Sequence, residues 1–239
     1  NSVYNHSCAI DGGYVVCWGY SGEGRTTPPG SLTNPTQVSS GSHHSCALDD
    51  TGVKCWGRSD SNQAIPAADI AAPSIRNPTQ VSVDLSGLNQ VCVLDDLGVK
   101  CWNKDSGDRY LPGNGIPSVL QREVGNPTQV SGARCALADA DRDGVNEVVC
   151  WGNNVYGQAD VPSLTNPTQV SASLDHTCAL DESGVVCWGY NYYGQTTVPS
   201  LINPRDVSAG DYHSCAIDDI GVKCWGSLAH AETFTFGSP

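Results

Sequence analysis

The stretch Cys46-Ala47-Leu48-Asp49-Asp50-Thr51-Gly52-Val53-Lys54-Cys55-Trp56-Gly57 decides how this chain folds. Apolar residues flank a polar, glycine-containing turn, the pattern of a β-hairpin. If Leu48 lies opposite Val53, then Cys46 lies opposite Cys55. Residues two apart in a strand share a face, so Cys46, Leu48, Val53 and Cys55 occupy one side and Ala47 and Trp56 the other. Both faces are partly apolar, which suits a propeller blade packed between neighbours better than an open sheet with one wet face.

The same unit recurs six times, beginning at Cys8, Cys46, Cys92, Cys135, Cys178 and Cys215 and ending in Cys-Trp at Trp18, Trp56, Trp102, Trp151, Trp188 and Trp225. Between units stands Asn-Pro-x-x-Val, starting at Asn34, Asn77, Asn126, Asn166 and Asn203. The 37 to 46 residues between successive first cysteines suit blades of about four short strands. Pro reads as the entry to a strand because it lacks an N–H, and the variable segments after Cys-Trp-Gly read as surface loops. The first unit has no Asn-Pro strand of its own, while the chain ends in the alternating run Thr233-Phe234-Thr235-Phe236. That tail is expected to supply the missing strand and close the ring; the alternative is an ordinary C-terminal strand of the last blade. The expected fold is therefore all-β: one six-bladed β-propeller over residues 1–239, with one disulfide-bonded hairpin per blade, closed by the C-terminal strand.

Composition narrows the function. Twelve Lys and Arg against 25 Asp and Glu give a formal charge of −13, which argues against nucleic acid or an anionic membrane as partner. No apolar run approaches the roughly 18 residues of a membrane span. Methionine is absent, which suggests a removed N-terminal segment or an excerpt. Twelve regularly spaced cysteines point to an oxidising compartment, hence to a secreted or cell-surface protein. The disulfide reading pairs Cys8 with Cys17, Cys46 with Cys55, Cys92 with Cys101, Cys135 with Cys150, Cys178 with Cys187, and Cys215 with Cys224. A zinc reading would need a tight C-x-x-C knuckle, and none occurs. Each short loop could stabilise by up to about 2.5 to 3 kcal/mol in the loop-entropy model.

The segments His176-Thr177-Cys178-Ala179-Leu180, Cys187-Trp188-Gly189-Tyr190-Asn191-Tyr192-Tyr193-Gly194-Gln195 and Val207-Ser208-Ala209-Gly210 resemble the regulator-of-chromosome-condensation repeat, in a bacterial-type version with two cysteines per repeat. The resemblance covers almost the whole chain and implies a propeller. Its eukaryotic founding members have seven blades and act on a small GTPase, whereas a secreted bacterial member inhibits β-lactamases through its loops. The third unit departs from the pattern: Gln90-Val91-Cys92 lacks the His, and Asn103 replaces the Gly after Trp102.

The fourth unit carries the sharpest chemical signal. Its cysteines enclose an acidic insertion, Asp139-Ala140-Asp141-Arg142-Asp143-Gly144-Val145-Asn146-Glu147. Oxygen ligands at positions one, three and five, Gly at six and a carbonyl at seven follow the calcium-loop scheme. The loop ends at Glu147 in position nine and resembles the nine-residue calcium loops of integrin-type propellers. Asp139, Asp141, Asp143, the Val145 carbonyl and Glu147 are the expected ligands of a structural Ca²⁺; a solvated acidic turn is the alternative.

His6, His44, His176 and His213 each stand two residues before a cysteine. They could ring a channel and bind a metal, but a hydrogen bond from each His to neighbouring backbone is the favoured reading. Enzyme signatures are lacking: no Gly-x-Ser-x-Gly elbow, no His-Glu-x-x-His, no phosphate loop. Asp49, Asp95, Asp181 and Asp218 lie at hairpin turns and read as turn formers rather than glycosidase acids. Asn5-His6-Ser7 is a glycosylation sequon, relevant in a eukaryotic secretory host.

Tyr20, Arg25, Arg58, Arg109, Tyr110, Tyr156, Tyr190, Tyr192 and Tyr193 follow Cys-Trp units, and Tyr and Arg are enriched at protein-binding hot spots. They are the candidate partner-binding residues, with ordinary loop packing as the competing account. The expected function is non-catalytic: a monomeric secreted or surface propeller that recognises a protein through variable loops on one face. A lectin-like, glycan-binding propeller is the alternative, and a glycoside-type hydrolase the third reading.

Overall fold

The protein is described here from a computed structural model, covering residues 6–58, 75–83, 90–102, 126–132, 134–139, 141 and 143–227. Among the described residues, six antiparallel sheets follow one another along the chain. The first has two strands, β1 (His6–Asp11) and β2 (Tyr14–Gly19). The second comprises β3 (Gln37–Ser40), β4 (His44–Asp49) and β5 (Gly52–Gly57), and the third β6 (Gln80–Val83), β7 (Val91–Asp95) and β8 (Gly98–Trp102). The fourth is β9 (Asn126–Ser131), β10 (Cys135–Asp139) and β11 (Glu147–Cys150), and the fifth β12 (Gln169–Ala172), β13 (His176–Asp181) and β14 (Gly184–Gly189). The sixth is β15 (Asp206–Ala209), β16 (His213–Ile217) and β17 (Val222–Gly226). In each three-stranded sheet the Cys-containing middle strand is flanked on both sides.

The hairpin register follows the sequence pattern. Leu48 pairs with Val53 and Cys46 with Cys55, and the other five cysteine pairs are likewise directly opposed. All six pairs are disulfides, with Cα atoms 4.0 to 4.1 Å apart. The fourth strand expected in each blade is absent from residues 153–168 and 190–205, which run as turns and bends. Pro162, Pro167, Pro199 and Pro204 remove ladder donors there.

Sheet follows sheet because the two faces of a blade are complementary. Cys46, Leu48 and Cys55 pack on Val81, Val83, Val91 and Val93 of the next sheet. Cys92, Leu94, Val99 and Cys101 pack on Val130, Ala136, Ala138 and Trp151. Cys135, Leu137 and Val148 meet Val170, Ala172, Ala179 and Trp188, and Cys178 and Leu180 meet Val207 and Ala209. The disulfide face of one blade thus buries the Val, Ala and Trp face of its successor, with both faces dry.

Polar links run along the inner strands. The Oε1 atoms of Gln37, Gln80, Gln129 and Gln169 accept from the backbone N–H of Val81, Val130, Val170 and Val207 one blade on, at 2.6 to 3.0 Å. Together with Asp206 these residues line a cavity of about 540 Å³. At the outer end, Asn34, Asn77, Asn166 and Asn203 adopt left-handed backbone angles, φ 47 to 49°, which Asn tolerates better than most residues. The hairpin-turn carboxylates do more than form turns. Asp49 accepts from Thr51 N–H in its own turn and from Thr33 N–H sixteen residues earlier; Asp95, Asp181 and Asp218 repeat the arrangement with Arg76, Thr165 and Ile202. Lys54, Lys100 and Lys223 add ion pairs to Asp49, Asp95 and Asp218 at 2.6 to 2.8 Å.

The first sheet stands apart. It has no third strand among the described residues, and Trp18 is 55% exposed where Trp56, Trp151, Trp188 and Trp225 are buried. Tyr14 and Val16 are exposed on the same side of β2. The Thr233–Phe236 tail lies outside the described residues.

The Lys223 ion pair and backbone N–H donors hold the Asp218 carboxyl well below the usual carboxylate range. At Asp49, burial opposes the charge, but bonds from Lys54, Thr51 and Thr33 outweigh it and the carboxyl again lies low. Both carboxylates stabilise the fold above the ordinary Asp pKa of about 4 and lose that contribution as pH falls below it. Asp218→Asn and Asp49→Asn should each lower the thermal midpoint at pH 7, and the difference from wild type should shrink steadily toward pH 2 in calorimetric scans.

Candidate functional site

The loops after the Cys-Trp pairs are built to hold exposed tyrosines in place. Trp188 donates its indole N–H to the Gln158 carbonyl at 3.0 Å, and Thr177 donates its hydroxyl to the same oxygen at 3.1 Å. Trp225 and Ser214 clamp the Gln195 carbonyl in the same way, at 2.9 Å each. Each loop is thereby pinned by the blade that follows it. The buried side chains of Gln158 and Gln195 then turn back, accepting from the N–H groups of Tyr156 and Tyr193. With glutamine inside, the tyrosine two residues earlier stays outside.

The result is a contiguous aromatic surface. Tyr156 and Tyr190 have ring centroids 4.7 Å apart, Tyr190 stacks on Tyr192 at 6.3 Å, Tyr192 meets Tyr193 edge-on at 5.0 Å, and Tyr193 meets Tyr212 at 5.4 Å. Tyr192 is 78% exposed, and Tyr156, Tyr193 and Tyr212 are close to half exposed. Side chains from three consecutive loop regions of the fourth, fifth and sixth blades thus form one patch. Tyr212 escaped the sequence reading because it sits in the turn between β15 and β16, not after a Cys-Trp pair. Its position one residue before the recurring His was the available signal.

Asp175 and Asp211 lie in the corresponding turns of the fifth and sixth blades. The Tyr190 N–H donates to the Asp175 carbonyl at 2.8 Å, and Asp211 immediately precedes Tyr212. Neither carboxylate has a hydrogen bond or ion pair among the described residues. Burial raises the pKa of Asp175 against the opposing charge of Arg134. Burial also raises Asp211, with His213 opposing and Asp175 adding to the rise.

The other candidate binding residues divide. Arg25 is only 3% exposed and does not belong to a recognition surface. It stands where later blades have Gln158 and Gln195, donates to the Ser42 carbonyl at 2.9 Å, pairs with Glu23 and lies against the Tyr20 ring, while its own carbonyl accepts from Trp56. Arg58 is partly exposed, 3.7 Å from Glu23. Tyr20 and Arg58 are therefore on the first two blades, remote in sequence from the tyrosine patch. Arg109 and Tyr110 lie outside the described residues.

In the acidic hairpin, carboxylate oxygens of Asp139, Asp141 and Asp143 all lie within 4.8 Å of one another. One Asp139 oxygen is buried without a hydrogen-bond partner. Asp141 and Asp143 accept from the N–H groups of Asp143 and Val145, the local turns that draw alternate carboxylates together. Val145 is exposed, and Glu147 opens β11 opposite Ala138.

The recurring histidines do not bond through their ring Nε2 to backbone as expected. His6 Nε2 shares a hydrogen bond with Ser45 Oγ at 2.7 Å and His176 Nε2 with Ser214 Oγ at 2.8 Å, in each case one blade on. For His44, the position that holds serine in those pairs is taken by Val91, and both of its buried ring nitrogens lack a partner. The sequence reading considered each blade alone and so missed a bond that crosses between blades.

The match to known repeats agrees with this geometry. Residues 36–63, 168–195 and 205–227 match the family model described as the regulator of chromosome condensation (RCC1) repeat. Three segments of the chain thus carry RCC1 repeats. Among solved structures, the CRINKLY WD40 ectodomain of the Arabidopsis thaliana receptor kinase ACR4 superposes with a TM-score of 0.67 at 21% identity, covering 93% of this chain and 77% of that one. The ectodomain of the Physcomitrella patens receptor kinase CR4 gives 0.64 at 20% identity, covering 93% of this chain, which spans 59% of that ectodomain. Yeast RCC1 (Prp20), in its structure with Kap60, gives 0.66 at 18% identity, with 93% and 68% covered. At these identities the likeness is one of fold: an all-β, RCC1-type propeller with six disulfide-bonded hairpins. No curated protein sequence matches the chain significantly.

Burial, with the charges of His43 and His6, pulls His44 down to about 4, and burial with His213 does the same for His176. An unfolded chain with histidines near 6.5 takes up protons that the folded RCC1 repeats refuse, so stability should decline as pH falls from about 6.5 to 4. Urea denaturation across that window should show the decline, and the double variant His44→Gln, His176→Gln should flatten it. Ser214→Ala should cost about 1 to 2 kcal/mol, because it removes the bonds to both the His176 ring and the Gln195 carbonyl.

Proposed function

We propose that this chain is a secreted or cell-surface binding protein, a single propeller domain that recognises a protein partner through the tyrosine surface of its fourth to sixth blades. The observation that carries the reading is the continuous, exposed array of Tyr156, Tyr190, Tyr192, Tyr193 and Tyr212 on loops clamped from below. Tyrosine offers large contact area at low entropic cost, and pre-ordered loops reduce that cost further. Six disulfides fit an oxidising compartment. The ectodomain origin of two similar structures and the Kap60-bound state of a third support a binding role for the fold.

Two structural completions belong to this reading. The exposed apolar side of β2, with Tyr14, Val16 and Trp18, supports closure of the ring by a further strand beside the first sheet; the Thr233–Phe236 run expected to supply it lies outside the described residues. The fourth hairpin holds a Ca²⁺ through Asp139, Asp141, Asp143, the Val145 carbonyl and Glu147. Hard oxygen donors and one buried, unpartnered Asp139 oxygen suit that ion.

Pull-down from native extracellular fluid should recover a partner that the Tyr192→Ala, Tyr193→Ala double variant no longer retains. Retention of every partner by the variant would remove the tyrosine surface as the site. A glycan array tests the lectin alternative: saturable binding of a defined oligosaccharide, lost in the same variant, would replace the protein-partner reading. For the metal, titration calorimetry should give a calcium heat that disappears in Asp141→Ala and Asp143→Ala; identical heats in all three proteins would refute the site.

A further inference from the structure

A recognition surface made of tyrosine alone would accept many partners, so its charge decides what it selects. Two aspartates adjoin the tyrosine surface along the backbone: Asp175, on the β12–β13 turn, whose carbonyl accepts the Tyr190 N–H, and Asp211, on the β15–β16 turn, which immediately precedes Tyr212. Both are partly buried, and neither is satisfied by a hydrogen bond or ion pair. Keeping two such carboxylates partly dry is unfavourable unless a positive charge joins them. Aromatic faces add to the preference, because their quadrupoles attract cations and hardly favour anions.

We propose that the surface formed by Tyr190, Tyr192, Tyr193 and Tyr212 with Asp175 and Asp211 takes a cationic side chain, Lys or Arg, from a basic segment of the partner. The inference rests on the tyrosine surface being the docking face and names the chemistry that it selects. The rings supply the walls and the two aspartates the counter-charge. The formal charge of −13 draws a basic segment toward the chain as a whole. The charges already present nearby do not replace the guest. Arg134 is buried and donates to the Leu174 carbonyl at 3.3 Å. His213 is close enough to Asp211 to oppose the rise in its pKa, yet burial keeps that pKa high.

An anionic or neutral partner is disfavoured on the same grounds. An anion would face two carboxylates across a partly desolvated gap. A neutral apolar segment would bury both carboxylates without compensation, which is costlier than leaving them wet. Burial is also what raises the proton affinity of Asp175 and Asp211, against the opposing charges of Arg134 and His213.

The probe is an acetylated, amidated peptide Gly-Arg-Gly-Lys-Gly, compared with a near-isosteric peptide carrying citrulline and norleucine in place of Arg and Lys. Binding is read by tyrosine-ring NMR shifts and calorimetry on the intact chain. The basic peptide should bind at least about tenfold tighter than its neutral counterpart and weaken with added salt. The double variant Asp175→Asn, Asp211→Asn, which preserves shape, should lose about the same factor while its melting temperature is not lowered. Equal binding of the two peptides, no binding of the basic peptide, or unchanged affinity in the Asn variant would each overturn the proposal. Failure of the docking reading is separately visible: Tyr192→Ala, Tyr193→Ala would then retain the natural partner. If that variant loses the partner while the basic peptide fails to bind wild type, the tyrosine surface stands and its cation selectivity falls.

Discussion

The fold depends on one packing relation: from the second blade to the fifth, the disulfide face of one blade buries the Val, Ala and Trp face of the next. A hairpin of this size has too little apolar surface to be stable alone. Here the third, fourth and fifth sheets each lend one face forward and one backward, so the core is a series of interblade layers. The disulfides sit inside those layers, where Cys46, Cys92 and Cys178 are fully buried. They join the two strands of a hairpin and also contribute apolar surface to the next blade.

The same relation organises the polar groups. Bonds that cross between blades, from Gln37 to Val81 at the inner strands, from His176 to Ser214 in the middle and from Trp188 to Gln158 near the loops, all lie between successive sheets. Polar groups buried by the packing are thus satisfied by the neighbour that buries them. Where the neighbour's residue changes, the account fails locally: Val91 leaves the His44 ring without its hydroxyl. The binding loops inherit their order from this arrangement. A tyrosine surface held by Gln158 and Gln195 is fixed by the following blade before any partner arrives.

Much of the fold was legible because it is local. The hairpin register, the six cysteine pairs and the role of Asp49 and its counterparts in turns all follow from residues no more than fifteen positions apart, where alternation and turn chemistry determine geometry. The expected fourth strand was not found in the loops that are described, because average blade length says nothing of how proline-rich segments bond. Arg25 was misread for a related reason. It has the composition of a hot-spot residue, but it occupies the inward position that glutamine holds in later blades.

What the sequence alone determined is the repeating unit: six Cys-Trp hairpins, their faces, their pairing and the acidic hairpin with calcium-ligand spacing. What only the tertiary structure decided is which residues of different units meet. Tyr156 and Tyr212 are separated by more than one repeat yet belong to one aromatic patch. Periodicity reports the inside and outside of a strand, since that depends on neighbours along the chain. The composition of a surface depends on how consecutive blades are stacked, and stacking is set by the summed fit of whole faces.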